Sequence, residues 1–119
     1  MIKRLCLTVL LLLTGCQSAF AEAYDSESIA DAIWYAEGGD KAKKPYGILS
    51  VPCDSKEECR QICINTINNT FTRWQLAGAK GDFLEALARR YAPVGAENDP
   101  SGLNKNWFKN VKYYLERKK

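Results

Sequence analysis

Ser55, followed three residues later by Glu58, opens a run in which Cys59, Ile62, Cys63, Ile67, Phe71 and Trp74 return every three or four positions. A hydroxyl that accepts from the third helical N–H and a glutamate that reaches back form a capping box, so the run predicts a helix with a defined start. Its apolar stripe is long enough for the central helix of a small domain. A chain of 119 residues allows one such domain. The expected class is therefore mainly α, a small α+β fold at most, with about four helices and one short extended segment.

The flanking segments have the same grammar. Ser26 or Ser28 can cap a first helix with Ile29, Ala32, Ile33 and Ala36 on one face, and Gly38 or Gly39 supplies the left-handed residue that ends it. Residues 46–51 have strand-like character but are too few to organise a sheet, and they predict an extended segment beside Glu37. Asp82 with Glu85 predicts another capping box, for a helix carrying Phe83, Leu84, Leu87, Ala88 and Tyr91, with Pro93 after its end. Glycines, Asn98, Asp99 and Pro100 make residues 94–103 a turn or loop, after which Asn104 can cap a last helix with Trp107, Phe108, Val111, Tyr114 and Leu115 inward. Trp34 and Trp74 are assigned to packing.

Residues 1–15 are expected to be an export signal: Lys3 and Arg4 precede an apolar run too short to span a bilayer. Leu13-Thr14-Gly15-Cys16 resembles a bacterial lipobox, with Cys16 as the lipidated residue, and cleavage after Ala21 is the competing reading. Gln17 after Cys16, in place of an aspartate, favours the outer membrane; cleavage after Ala21 would leave a periplasmic or secreted protein. Residues 16–25 then form a tether and residues 26–119 the domain. The signal takes Lys3 and Arg4 from 17 basic residues set against 14 acidic ones, so the exported part is almost neutral and no nucleic-acid partner is expected. A monomer with a lipid anchor is expected.

Cys53, Cys59 and Cys63 are an odd set for an oxidising compartment. Cys53 stands just before the central helix and can fold back on its first turn, which predicts a Cys53–Cys59 disulfide with Cys63 buried as a small apolar residue. Three thiols without a histidine give no expected metal site, and no cofactor is expected. Because the chain has no histidine, acid/base work falls to carboxylates and tyrosines.

Glu37 is the carboxylate best placed for that work. It ends the first helix, at the negative end of the dipole, where its ionised form is disfavoured. It also borders the apolar stripe, so burial is expected to raise its pKa further, as a general acid requires.

The order of parts over most of residues 29–115 resembles the lysozyme superfamily, nearest to goose-type lysozymes and soluble lytic transglycosylases. In that family a helix ends in a catalytic glutamate and a Gly-Leu-Met-Gln-type segment lines the cleft; Glu37-Gly38-Gly39 and Tyr46-Gly47-Ile48-Leu49-Ser50 stand in those places. Arg90-Tyr91-Ala92-Pro93 is similar to the family's Ala-Tyr-Asn motif, and Asn65-Thr66-Ile67-Asn68-Asn69 loosely matches its central helix. Ser50 replaces the family's glutamine and Ala92 its asparagine. The resemblance implies a lysozyme-like domain that cleaves peptidoglycan glycan strands as a muramidase or lytic transglycosylase. It implies Glu37 as catalytic acid and base, with Tyr46, Ser50, Asn68, Tyr91 and Asn104 as substrate contacts. Asp99 enters only if its loop folds over the cleft, and Trp107 either stacks on a sugar ring or fills the core. The alternative expectation is a non-catalytic periplasmic lipoprotein that binds peptidoglycan or a cell-wall partner.

Overall fold

The computed structural model describes residues 25–49, 51–97, 99 and 101–117. The expected signal, Cys16, the tether up to residue 24, and Ser50 lie outside these residues. Four α-helices carry the fold: α1 (Ser26–Ala36), α2 (Lys56–Leu76), α3 (Phe83–Tyr91) and α4 (Trp107–Arg117). Among the described residues there is no strand, so the architecture is mainly α. No helix among them is long and apolar enough to cross a membrane.

Local chemistry sets the helix starts, and in three places it differs from the expected caps. Asp25, rather than either serine, caps α1: its carboxylate accepts from the Ser28 N–H at 3.2 Å and the Ser28 hydroxyl at 2.9 Å. A carboxylate at a helix N-terminus is also favoured by the dipole. Ser55 caps α2 as expected, accepting from Glu58 N–H at 3.1 Å, while the Glu58 carboxylate reaches one residue further back to Asp54 N–H. Asp82 takes the N-cap position of α3 without capping it through its side chain. The chain enters α4 through a 3₁₀ turn, Leu103–Asn106, so Asn104 lies inside that turn and does not cap the helix.

The core follows from the stripes. Ile29, Ala32 and Ile33 of α1, Cys59, Cys63, Ile67 and Trp74 of α2, Phe83 and Leu87 of α3, and Trp107 and Val111 of α4 are all buried. Helix α1 packs on α2 and, most extensively, on α4, and α3 closes against both α2 and α4. Where α2 gives way to α3, Phe71, Trp74 and Phe83 form an aromatic cluster with centroids 5.1 to 5.7 Å apart. The Trp74 indole donates to Lys80 O at 3.1 Å, closing the turn between the helices.

Cys53 and Cys59 form the expected disulfide, and Cys63 is a buried free thiol. The bridge ties the incoming chain to the first turn of α2. For a six-residue separation, loop-closure entropy makes it worth about 2 kcal/mol. Cys53→Ala is expected to lower stability by about that amount, read as a lower denaturant midpoint under non-reducing conditions. Equal midpoints for both proteins would show that the bridge does not constrain the unfolded chain.

The expected extended segment at residues 46–51 is corrected in part. Pro45–Gly47 is a single 3₁₀ turn in which Tyr46 takes left-handed angles (φ 60°, ψ 13°), and the chain becomes extended only from Ile48 (φ −78°, ψ 109°). A left-handed non-glycine residue costs about 1–2 kcal/mol, so Tyr46 must be held from outside. Three contacts do this. The Trp34 ring packs on it at 5.2 Å, the Arg60 guanidinium donates to its hydroxyl at 3.2 Å, and the Tyr91 hydroxyl donates to its carbonyl at 2.5 Å. Arg60 is itself fixed by Asp31 of α1 at 2.7 Å.

Candidate functional site

Glu37 occupies the C-cap of α1, its N–H still bonded back to Ile33 O, and Gly38 (φ 109°) turns the chain away behind it. The carboxyl group is half-buried. Burial pushes its pKa above the ordinary value of 4.5, and a hydrogen bond from Trp107 opposes that rise in part. The helix end acts in the same sense as burial, because carbonyl oxygens at a C-terminus repel a second negative charge.

Two neighbours fix the carboxyl group in space. The Trp107 indole N–H donates to Glu37 Oε1 at 3.0 Å, and its ring stacks on Tyr91 with centroids 5.2 Å apart. On the other side lies the backbone of Gly47. A Cβ built on Gly47 would stand 2.5 Å from Glu37 Cδ and Oε2, closer than atoms can approach, and the residue has φ +67°. Glycine is needed there for both reasons.

Gly47 also lines a cavity of about 270 Å³ with Ile48, Leu49, Ile62, Thr66, Arg90, Tyr91 and Pro93. One glycine therefore borders both the carboxyl group and a concavity whose walls mix apolar surface, a hydroxyl, a guanidinium and an aromatic ring. Such a mixture suits a ligand that is apolar on its ring faces and polar at its edges.

The expected site residues divide. Glu37 and Tyr91 converge on Trp107, which donates to the first and stacks on the second, while the Tyr91 hydroxyl holds the Tyr46 carbonyl. Tyr46 contributes through its backbone alone: its side chain is 1% exposed and its hydroxyl meets Arg60, so the expected substrate contact through that side chain is replaced by a packing role. Asn68 is exposed on α2, and the residues of that helix that line the cavity are Ile62 and Thr66. Asn104 holds a loop together, its amide donating to Pro93 O at 3.1 Å. Asp99 is buried, and its Oδ2 accepts from the Gly95 and Asn104 N–H groups, both at 3.1 Å. It staples the loop before α4, so the expectation of a loop that brings it over a cleft is not met. Asp40 is exposed in the turn Gly39–Lys41.

The hydrogen bond from Trp107 to Glu37 is the contact that sequence reasoning missed. The amphipathic pattern of α4 marks the tryptophan as inward-facing, but no local signal points to a partner seventy positions away. Tyr91 completes the surroundings: burial, first among the causes, pushes its phenol far above the usual tyrosine range, so it is a neutral donor at any working pH. Burial likewise raises the Cys63 thiol to about 11, which keeps it protonated and inert. Tyr91→Phe would leave Tyr46 O without its donor and is expected to cost about 1–3 kcal/mol, measured by chemical denaturation. An unchanged midpoint would mean that the bond does not hold the Pro45–Gly47 turn.

The geometry supplies a sheltered carboxyl group that keeps its proton to a higher pH than an exposed glutamate. It is held by one N–H donor and by Gly47, which is itself part of the cavity wall, and a carboxyl group of this kind is able to give a proton to an oxygen and take it back. Compared with family models, curated proteins and solved structures, the chain matches none of them.

Proposed function

We propose that this protein is a peptidoglycan-cleaving glycosidase of the muramidase or lytic transglycosylase type, with Glu37 as the general acid and then the base. The observation that carries the reading is the Glu37 carboxyl, raised in pKa by burial and gripped between the Trp107 indole and the backbone of Gly47, which in turn forms part of a cavity wall. Cleavage of a glycosidic bond requires a proton on the leaving oxygen as the sugar develops oxocarbenium character. A carboxyl group whose burial makes it hold its proton to higher pH delivers it, and the resulting carboxylate accepts a proton in the second half of the reaction. With Asp99 engaged in its loop and Asp40 exposed, the reading favours a single-carboxylate route in which the substrate's own acetamido group assists. The order of Glu37-Gly38-Gly39, Gly47-Ile48-Leu49 and Arg90-Tyr91-Ala92, similar to that of lysozymes and lytic transglycosylases, supports the same conclusion.

Incubation of the protein with purified sacculi, followed by mass spectrometry of the soluble fraction, tests this reading. Released disaccharide-peptides are expected, with either a reducing end or an anhydro ring. Sacculi that remain intact would favour a non-catalytic wall-binding lipoprotein.

The pH profile gives an independent check. The acid form must be present at the start of the reaction, so turnover is expected to fall as pH rises through the pKa of Glu37. Trp107 donates to the ionised form and thereby lowers that pKa. Trp107→Phe removes the donor, and the alkaline limb of the profile is expected to move to higher pH. A limb that stays in place, or moves down, would separate Trp107 from the proton-transfer group.

A further inference from the structure

A groove of about 700 Å³ lies beside α3 and α4, with Ala92, Val94 and Phe108 among its apolar walls and Glu85, Arg89 and Lys105 at its charged positions. Its volume is that of a small-molecule site. Although Glu85 and Arg89 stand one turn apart on α3, neither of them, nor Lys105, has an ion-pair partner among the described residues. Val94 is 61% exposed. Two uncommitted cations and one uncommitted anion around an apolar wall match a ligand with several carboxylates, a single ammonium and an aliphatic backbone. Pro93 belongs to the wall of this groove and also to that of the cavity bordered by Gly47. A ligand branching from the smaller cavity therefore has one residue to cross.

We infer that this groove receives the peptide branch of the glycan strand whose sugars occupy the cavity beside Glu37, an inference that rests on the proposed glycosidase function. Arg89 and Lys105 take the branch carboxylates, Glu85 takes the ammonium of its diamino acid, and Phe108 with Val94 covers the alanine side chains. The peptide adds binding energy at a distance from the scissile bond, which an enzyme can use to orient the sugars.

The test is binding, read without turnover. The ¹⁵N-labelled full chain is titrated with the N-acetylated tetrapeptide Ala-γ-Glu-diaminopimelate-Ala, whose only amine is that of the diamino acid. Saturable shifts are expected at the Val94, Lys105 and Phe108 amides, with Arg89→Glu/Lys105→Glu weakening binding at least about tenfold and Glu37→Gln binding like the parent. Absence of saturable shifts, or equal affinity in the charge-reversed protein, would overturn the assignment. So would shifts at the same amides that follow protein concentration without peptide, since they would mark the groove as a contact between two copies of the chain. Sacculi left uncut by a protein that binds the tetrapeptide would refute the glycosidase and not the peptide site. Sacculi cut by a protein that ignores the tetrapeptide would refute the peptide site alone.

Discussion

Replacement of Glu37 by Gln is expected to lower turnover on purified sacculi by about 10²–10⁴-fold while binding to the same sacculi is retained. The amide keeps the shape of the protonated acid and can accept from the Trp107 indole, but it has no proton to give. The same substitution has a second effect of opposite sign. Burial raises the pKa of Glu37 in the folded protein above its unfolded value, so the folded state binds the proton more tightly than the unfolded state. Ionising the group therefore destabilises the fold, progressively as pH rises from the unfolded pKa through the folded one, and by a constant amount above it. Gln cannot ionise. The melting temperature of Glu37→Gln is thus expected to exceed that of the parent at pH 7, with the gain disappearing below about pH 4, where the parent is protonated in both states. A non-enzymatic protein could show the stability effect but not the loss of turnover. An enzyme whose catalytic group lies elsewhere would show the stability effect without the loss of turnover, and a variant that still digests sacculi would exclude Glu37 as the acid.

Gly47→Ala carries the other large effect. An added methyl would fall 2.5 Å from Glu37 Cδ, and alanine would have to adopt φ +67°. The left-handed angle alone costs about 1–2 kcal/mol, and the overlap forces either the carboxyl group or the Pro45–Gly47 turn to move. The turn resists, because Tyr46 is buried and fixed at both its carbonyl and its hydroxyl. The Glu37 side chain is the softer partner, so it is displaced from the Trp107 indole. A misplacement on this scale is expected to cost about 10²-fold in turnover, together with a lower melting temperature. An alanine variant with parental turnover would show that the contact between Gly47 and the carboxyl group is not required for chemistry. The pairing of losses separates this case from Glu37→Gln, in which activity falls while stability at neutral pH rises.

Much of the architecture was legible because helix formation is local. The stripes of α1 to α4 and the Ser55–Glu58 box are written within a few positions of one another, and each element formed where its pattern lies. At the start of α1, where the cap was misassigned, the error was between neighbours. Asp25 outcompeted Ser26 and Ser28 because a carboxylate both accepts from the backbone and meets the positive end of the helix. The Cys53–Cys59 pair was legible for the same reason, since six residues leading into a helix turn leave little freedom.

The sequence by itself determined a mainly helical domain, the position of Glu37 at a helix end and the pairing of two cysteines, all consequences of interactions within about one or two helical turns. Only the tertiary structure decided what the carboxyl group meets. The Trp107 indole reaches it across 70 positions and Tyr91 reaches the Tyr46 carbonyl across 45. Such contacts depend on the angles at which α1, α3 and α4 pack, and a periodic pattern specifies which face turns inward without specifying what it touches there. Tyr46, Asn104 and Asp99 show the consequence, since each has polar atoms suited to a ligand and each turns them to its own chain instead.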